Sequence, residues 1–130
     1  MENRGRGFYQ GDMKLTPGQL ESVKKGKFGY AAVIYKKWGR TIPYLISTKL
    51  RTSSKARNAI MAAIADYHRY TCIRFVRKTS RHRDHMYFTD GDGCSSYVGK
   101  QYGRNEISLD EGCWARGTVL HEIGHSLGKL

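Results

Sequence analysis

Residues 121–125 read His-Glu-Ile-Gly-His, and nothing else in the 130-residue sequence restricts its fold as tightly. Two histidines four positions apart share one face of an α-helix, close enough for both imidazoles to bind a single zinc ion. The pattern therefore demands a helix. Val119, Leu120, Ile123 and Leu127 supply the apolar side that such a helix needs to bury, and Gly128 supplies its stop. Glu122 sits one residue beyond the first ligand, where its carboxylate reaches a water whose pKa the metal lowers to about 7, and can take that water's proton as attack begins.

The rest of the chain must form one domain that carries this helix, because 130 residues leave no room for two cores of ordinary size. No run of 18 uninterrupted apolar residues occurs, which excludes a membrane-spanning helix. The opening MENRGRGFYQ has no apolar stretch after its arginines and does not read as a secretory signal peptide. Residues 1–29 hold six glycines, Pro17 and the basic cluster Lys24, Lys25 and Lys27, the composition of an extended or loosely ordered lead.

Beyond the lead, β-type stretches fall at 30–35 and 41–47, and Pro43 suggests an edge position or the start of pairing for the second. Thr52, Ser53 or Ser54 caps the clearest helix, in which Ala56, Ala59, Ile60, Ala63, Ile64 and Tyr67 recur at helical spacing. Residues 72–77, 85–89 and 105–109 read as strands, 90–96 as a loop and 110–117 as a turn before the final helix.

Twenty-three Lys and Arg against eleven Asp and Glu leave a net charge of +12. The densest cluster, Arg74, Arg77, Lys78, Arg81 and Arg83 with His82 and His85, offers weak contact with polyanions, and no specific nucleic-acid module is recognisable. Three cysteines, Cys72, Cys94 and Cys113, cannot all pair within one chain. The odd one is a free thiol, joins another molecule, or has its partner outside this sequence.

The zinc motif extends to HEIGHSLG, the first eight positions of H-E-x-x-H-x-x-G-x-x-H. A third histidine would fall at position 131, one past Leu130. With IPY at 42–44, TCIRF at 71–75, GDGCSSYVG at 91–99 and ISLDEGCWARGTVLHEIGHSLG at 107–128, the chain resembles the astacin-type zinc metalloendopeptidases, a family of metzincins, almost from end to end.

That resemblance implies an α+β fold: the upper half of a metzincin domain, with a twisted mixed sheet, two long helices and the zinc helix last. It divides the chain into a pro-segment-like lead, 1–29, and an upper catalytic half, 30–130, truncated after the second zinc histidine. It implies one zinc per chain on His121 and His125, Glu122 as the catalytic residue, a protein or peptide substrate, and secretion. It pairs Cys94 with Cys113 and sends Cys72 to a cysteine near the far end of the domain. Phe8-Tyr9-Gln10-Gly11-Asp12 resembles the F-x-G-D element of astacin pro-segments, with one residue extra after the phenylalanine. Asp12 would then ligate the zinc and silence the zymogen until a cut near Lys24–Lys27. Asn105, Glu106, Ile107, Ser108 and Leu109 are expected to form the edge strand on which substrate pairs, although 102–106 departs from the glycine-rich stretch usual there. The alternatives are a non-catalytic basic polyanion-binding module and an inactive remnant on the same half-fold.

Overall fold

Ser53, the middle of the three candidate caps, starts the long helix: its hydroxyl accepts the Ala56 N–H at 3.3 Å. In the computed structural model, which describes residues 38–91 and 93–128 and the strand backbones of 8–9 and 13–14, this helix, α2, runs Ser54–Tyr70. A four-residue helix, α1 (Thr48–Arg51), precedes it and was not legible in the sequence. Ala56, Ile60, Ala63 and Ile64 are buried at the anticipated spacing. The last helix, α3 (Arg116–Ser126), buries Val119 and Ile123, and Gly128 closes it at φ 96°.

The strands are β1 (Phe8–Tyr9), β2 (Met13–Lys14), β3 (Thr41–Ile46), β4 (Arg74–Arg77), β5 (His85–Thr89), β6 (Cys94–Tyr97) and β7 (Arg104–Leu109). They form one mixed sheet in the order β1-β2-β6-β7-β5-β3-β4. Parallel ladders join β3 to β4, β3 to β5 and β5 to β7, whereas β6 runs antiparallel to β7. Ile42, Phe75, Met86, Phe88, Ile107 and Leu109 pack from this sheet into one cluster with the inner faces of the helices. The architecture is the expected α+β arrangement with two long helices, the second holding the histidine motif.

Two local expectations are corrected. Residues 90–96 are not wholly a loop, because Cys94–Tyr97 forms β6, a strand whose serines give no apolar alternation. Of the two readings of Pro43, the edge position is corrected and the start of pairing holds, because its strand lies between β4 and β5. Its ladder to β5 begins only at Tyr44, one residue after the proline, so the missing N–H interrupts no pairing on that side. The strand expected at 30–35 lies outside the described residues.

Candidate metal centre

Helix α3 has no side-chain cap at Ala115, so its position is set by what surrounds it. A disulfide joins Cys94, at the start of β6, to Cys113 in the 3₁₀ turn Glu111–Cys113 just before the helix, with Cα atoms 5.9 Å apart. Asp110 braces the same corner: one carboxylate oxygen accepts the Gly112 N–H and the other the Gly93 N–H, both at 3.0 Å. At the far end, Trp38 Nε1 donates to the Ser126 carbonyl at 2.9 Å. The Gly99 N–H donates to the His125 carbonyl, also at 2.9 Å, from a backbone turned to φ 74°. Both ends of α3 are therefore tied to neighbouring structure before any ligand is considered.

On this helix the Nε2 atoms of His121 and His125 converge to 2.8 Å, with ring centroids 4.2 Å apart. His125 is only 5% exposed, whereas His121 opens to solvent. Glu122, 1% exposed, lies between the sheet and the helix, where Ser96 Oγ approaches its carbonyl at 3.0 Å and its Oε1 at 3.2 Å. Two imidazole nitrogens aimed at one point, on the open side of a braced helix, are the donor set and spacing that zinc takes from an i, i+4 histidine pair. The residues present fit the ion.

Other expected site residues fall as follows. Cys94 and Cys113 are bonded as expected, and Cys72 is free and exposed. Asp12 lies outside the described residues, between β1 and β2 in sequence. Asn105–Leu109 is not an edge strand: as part of β7 it is paired on one side with β5 and on the other with β6. Ile107 and Leu109 are wholly buried, and the Asn105 amide is spent on the carbonyls of His85, Gln101 and Gly103. The strand on the outer side of β7 is β6, whose other edge takes β2 in parallel, Met13 opposite Ser96 and Lys14 opposite Tyr97.

The basic cluster is partly spent within its own loop. Arg74 Nη1 points at the carbonyls of His68, Thr71 and Ile73, and His85 is buried with Nδ1 on the Arg83 carbonyl. Ser96, Gly99 and Trp38, which hold α3 and Glu122, escaped the sequence reading. Recognising CSSYV as a strand pinned by a bridged cysteine would have exposed the first two.

Comparison with known proteins agrees with this geometry. The model of the astacin peptidase family matches residues 31–130. The chain is 41% identical over 125 residues to zinc metalloproteinase nas-8 of Steinernema carpocapsae, covering 93% of this chain and 29% of that protein. It is 37% identical over 125 residues to zinc metalloproteinase nas-4 of Caenorhabditis elegans, covering 93% and 39%. Among solved structures, the medaka (Oryzias latipes) hatching enzyme zinc-protease high choriolytic enzyme 1 superposes with a TM-score of 0.63 at 35% identity, over 72% of this chain and 48% of that one. The chain belongs to the astacin family of zinc metalloproteases. It spans 29% and 39% of the length of these two curated relatives. Among the described residues, no helix is long and apolar enough to cross a membrane.

Proposed function

We propose that this polypeptide carries the metal-binding and proton-transferring elements of an extracellular zinc endopeptidase that hydrolyses internal peptide bonds. The observation that carries the reading is the convergence of His121 and His125 Nε2 at 2.8 Å beside the buried carboxylate of Glu122. His121 and His125 would hold one zinc, whose Lewis acidity lowers the pKa of water and polarises a carbonyl. Glu122 is the general base. It accepts a proton at its carboxylate from the attacking water and returns it to the departing amine, a role worth typically ~10²–10⁴-fold. Ser96 limits the carboxylate's rotation, so the base is oriented before substrate arrives.

Substrate is a protein segment in extended form, pairing main chain to main chain with the outer edge of β6 rather than with Asn105–Leu109. The same edge receives β2 of the lead, and Asp12 directly precedes Met13, the residue in register with Ser96. That adjacency supports the reading of 1–29 as a pro-segment whose Asp12 silences the centre as an anionic oxygen ligand. The disulfide between Cys94 and Cys113 supports an extracellular setting. Polyanion contact through Arg77, Lys78, Arg81 and Arg83 is secondary to proteolysis.

The test is Co(II) substitution of the 130-residue chain, read by visible absorption, alongside cleavage of unfolded casein. Absorption bands lost in His121→Ala and His125→Ala and kept in Glu122→Gln support the reading. Any chelator-sensitive cleavage must vanish in Glu122→Gln. With two histidine ligands in this chain, weak cleavage is expected.

A further inference from the structure

At the β4 end of the sheet, a cavity of about 320 Å³ opens at the carboxyl ends of the parallel strands β3 and β4. Tyr44, Leu45 and Ile46 of β3 and Met61 of α2 give it apolar walls, and the three arginines Arg51, Arg57 and Arg77 complete its lining. Among the described residues no carboxylate lines it, and none forms an ion pair with any of the three arginines. Arg57 is partly fixed, since its Nη1 donates to the Arg51 carbonyl at 3.1 Å, leaving its other N–H groups to be satisfied. Met61 is 41% exposed, a large apolar side chain left in the open beside cations.

These features select a ligand. Its volume is at the lower end of small-molecule sites and suits one side-chain-sized group, not a polymer. Guanidinium forks match planar and tetrahedral oxyanions, and three of them offer more donors than the two oxygens of a carboxylate can accept, whereas an ester phosphate or sulfate presents three terminal oxygens. The apolar walls call for a flat or aliphatic body behind the anion, and a guanidinium also stacks on aromatic faces. We propose that this cavity docks a tyrosine bearing a phosphate or sulfate ester, displayed by a peptide partner, at a site separate from the histidine pair.

The experiment is isothermal titration calorimetry of the 130-residue chain at low salt. Its probes are N-acetyl-O-phosphotyrosine amide, N-acetyl-O-sulfotyrosine amide, unmodified N-acetyltyrosine amide and inorganic phosphate. At least one aryl ester should bind roughly 10-fold more tightly than either inorganic phosphate or the unmodified amide, and the tighter ester identifies the modification. Arg57→Gln and Arg77→Gln should each weaken it by roughly 10-fold. Lys55→Gln, an equal charge change on α2 outside the cavity, should alter it by less than about twofold. Met61→Ala should weaken the aryl ester and leave inorganic phosphate unchanged. Equal losses from Lys55→Gln and Arg77→Gln, inorganic phosphate binding as tightly as both esters, or no ester binding at millimolar concentration would each overturn the assignment.

Discussion

Ser96 Oγ stands 3.0 Å from the main-chain carbonyl and 3.2 Å from the carboxylate of Glu122, so one hydroxyl on β6 touches both the backbone and the side chain of the residue assigned as general base. Both residues are almost wholly buried, and Ser96 is also the residue opposite Met13 of the lead. The strand that pairs with Met13 and Lys14 on one edge therefore holds the Glu122 carboxylate on its face.

Removing that hydroxyl deprives a buried carboxylate of a donor. Ser96→Ala should lower the free energy of unfolding by about 1–3 kcal/mol, measured by urea denaturation. Ser96→Thr, which keeps a donor, should recover part of that loss. An unchanged midpoint in Ser96→Ala would show that the contact contributes nothing.

The disulfide closes a loop with sequence separation 19, for which loop-closure entropy gives about 3 kcal/mol. Replacing Cys94 and Cys113 together by Ala should reduce unfolding stability by roughly that amount. In the untreated protein, Cys72 alone should react with iodoacetamide, because it is exposed and free. Peptide mapping that finds Cys72 bridged to Cys94 or Cys113 would contradict the pairing.

Acid should weaken the fold in two separate ranges. Burial depresses the His85 pKa below its usual 6.5, opposed by the Arg83 carbonyl and Asp84 and reinforced by Lys78 and Arg104. The unfolded chain thus binds this proton first, and stability present above about pH 6.5 is lost as pH falls below it. Asp84 accepts the Gly103 N–H at 2.7 Å and pairs with Lys100 at 3.2 Å, and the Gly103 bond leads in holding its pKa below the usual 3.8. Its contribution is present above about pH 4 and lost as pH falls through the lower folded value. In urea melts from pH 8 to 2, His85→Gln should flatten the upper range and Asp84→Asn the lower. Profiles parallel to the unsubstituted protein would refute both assignments.

How much of this was readable from the sequence depended on whether a residue's role is local. Helix α2 was legible because Ala56, Ile60, Ala63 and Ile64 repeat with the helical period, and α3 because His121 and His125 need a shared face. Strand β6 was hidden because Ser95 and Ser96 are polar yet buried, so burial there leaves no hydrophobic pattern. Placing Asn105–Leu109 at the edge failed for another reason: strand order arises from long-range pairing, and nothing within NEISL records that both its sides are occupied. The bridge between Cys94 and Cys113 came from family resemblance, since three cysteines alone leave the pairing open.

If Asp12 completes the centre, its removal should be visible without any catalysis. Asp12→Ala in the 130-residue chain should weaken zinc binding by roughly 10-fold or more, measured by competition with a fluorescent chelator. In a precursor competent for cleavage the same change should raise basal activity. Zinc affinity equal to that of the unsubstituted chain would remove Asp12 from the ligand set.

The most direct measurement is the zinc content of the purified 130-residue chain and its variants after dialysis against micromolar zinc, determined by atomic emission. We expect about one zinc per chain, retained in Glu122→Gln and reduced to background in His121→Ala and in His125→Ala, with circular dichroism showing all four folded. Zinc retained equally in the two histidine variants, or absent from the folded unsubstituted chain, would contradict the assignment of His121 and His125 as the metal centre.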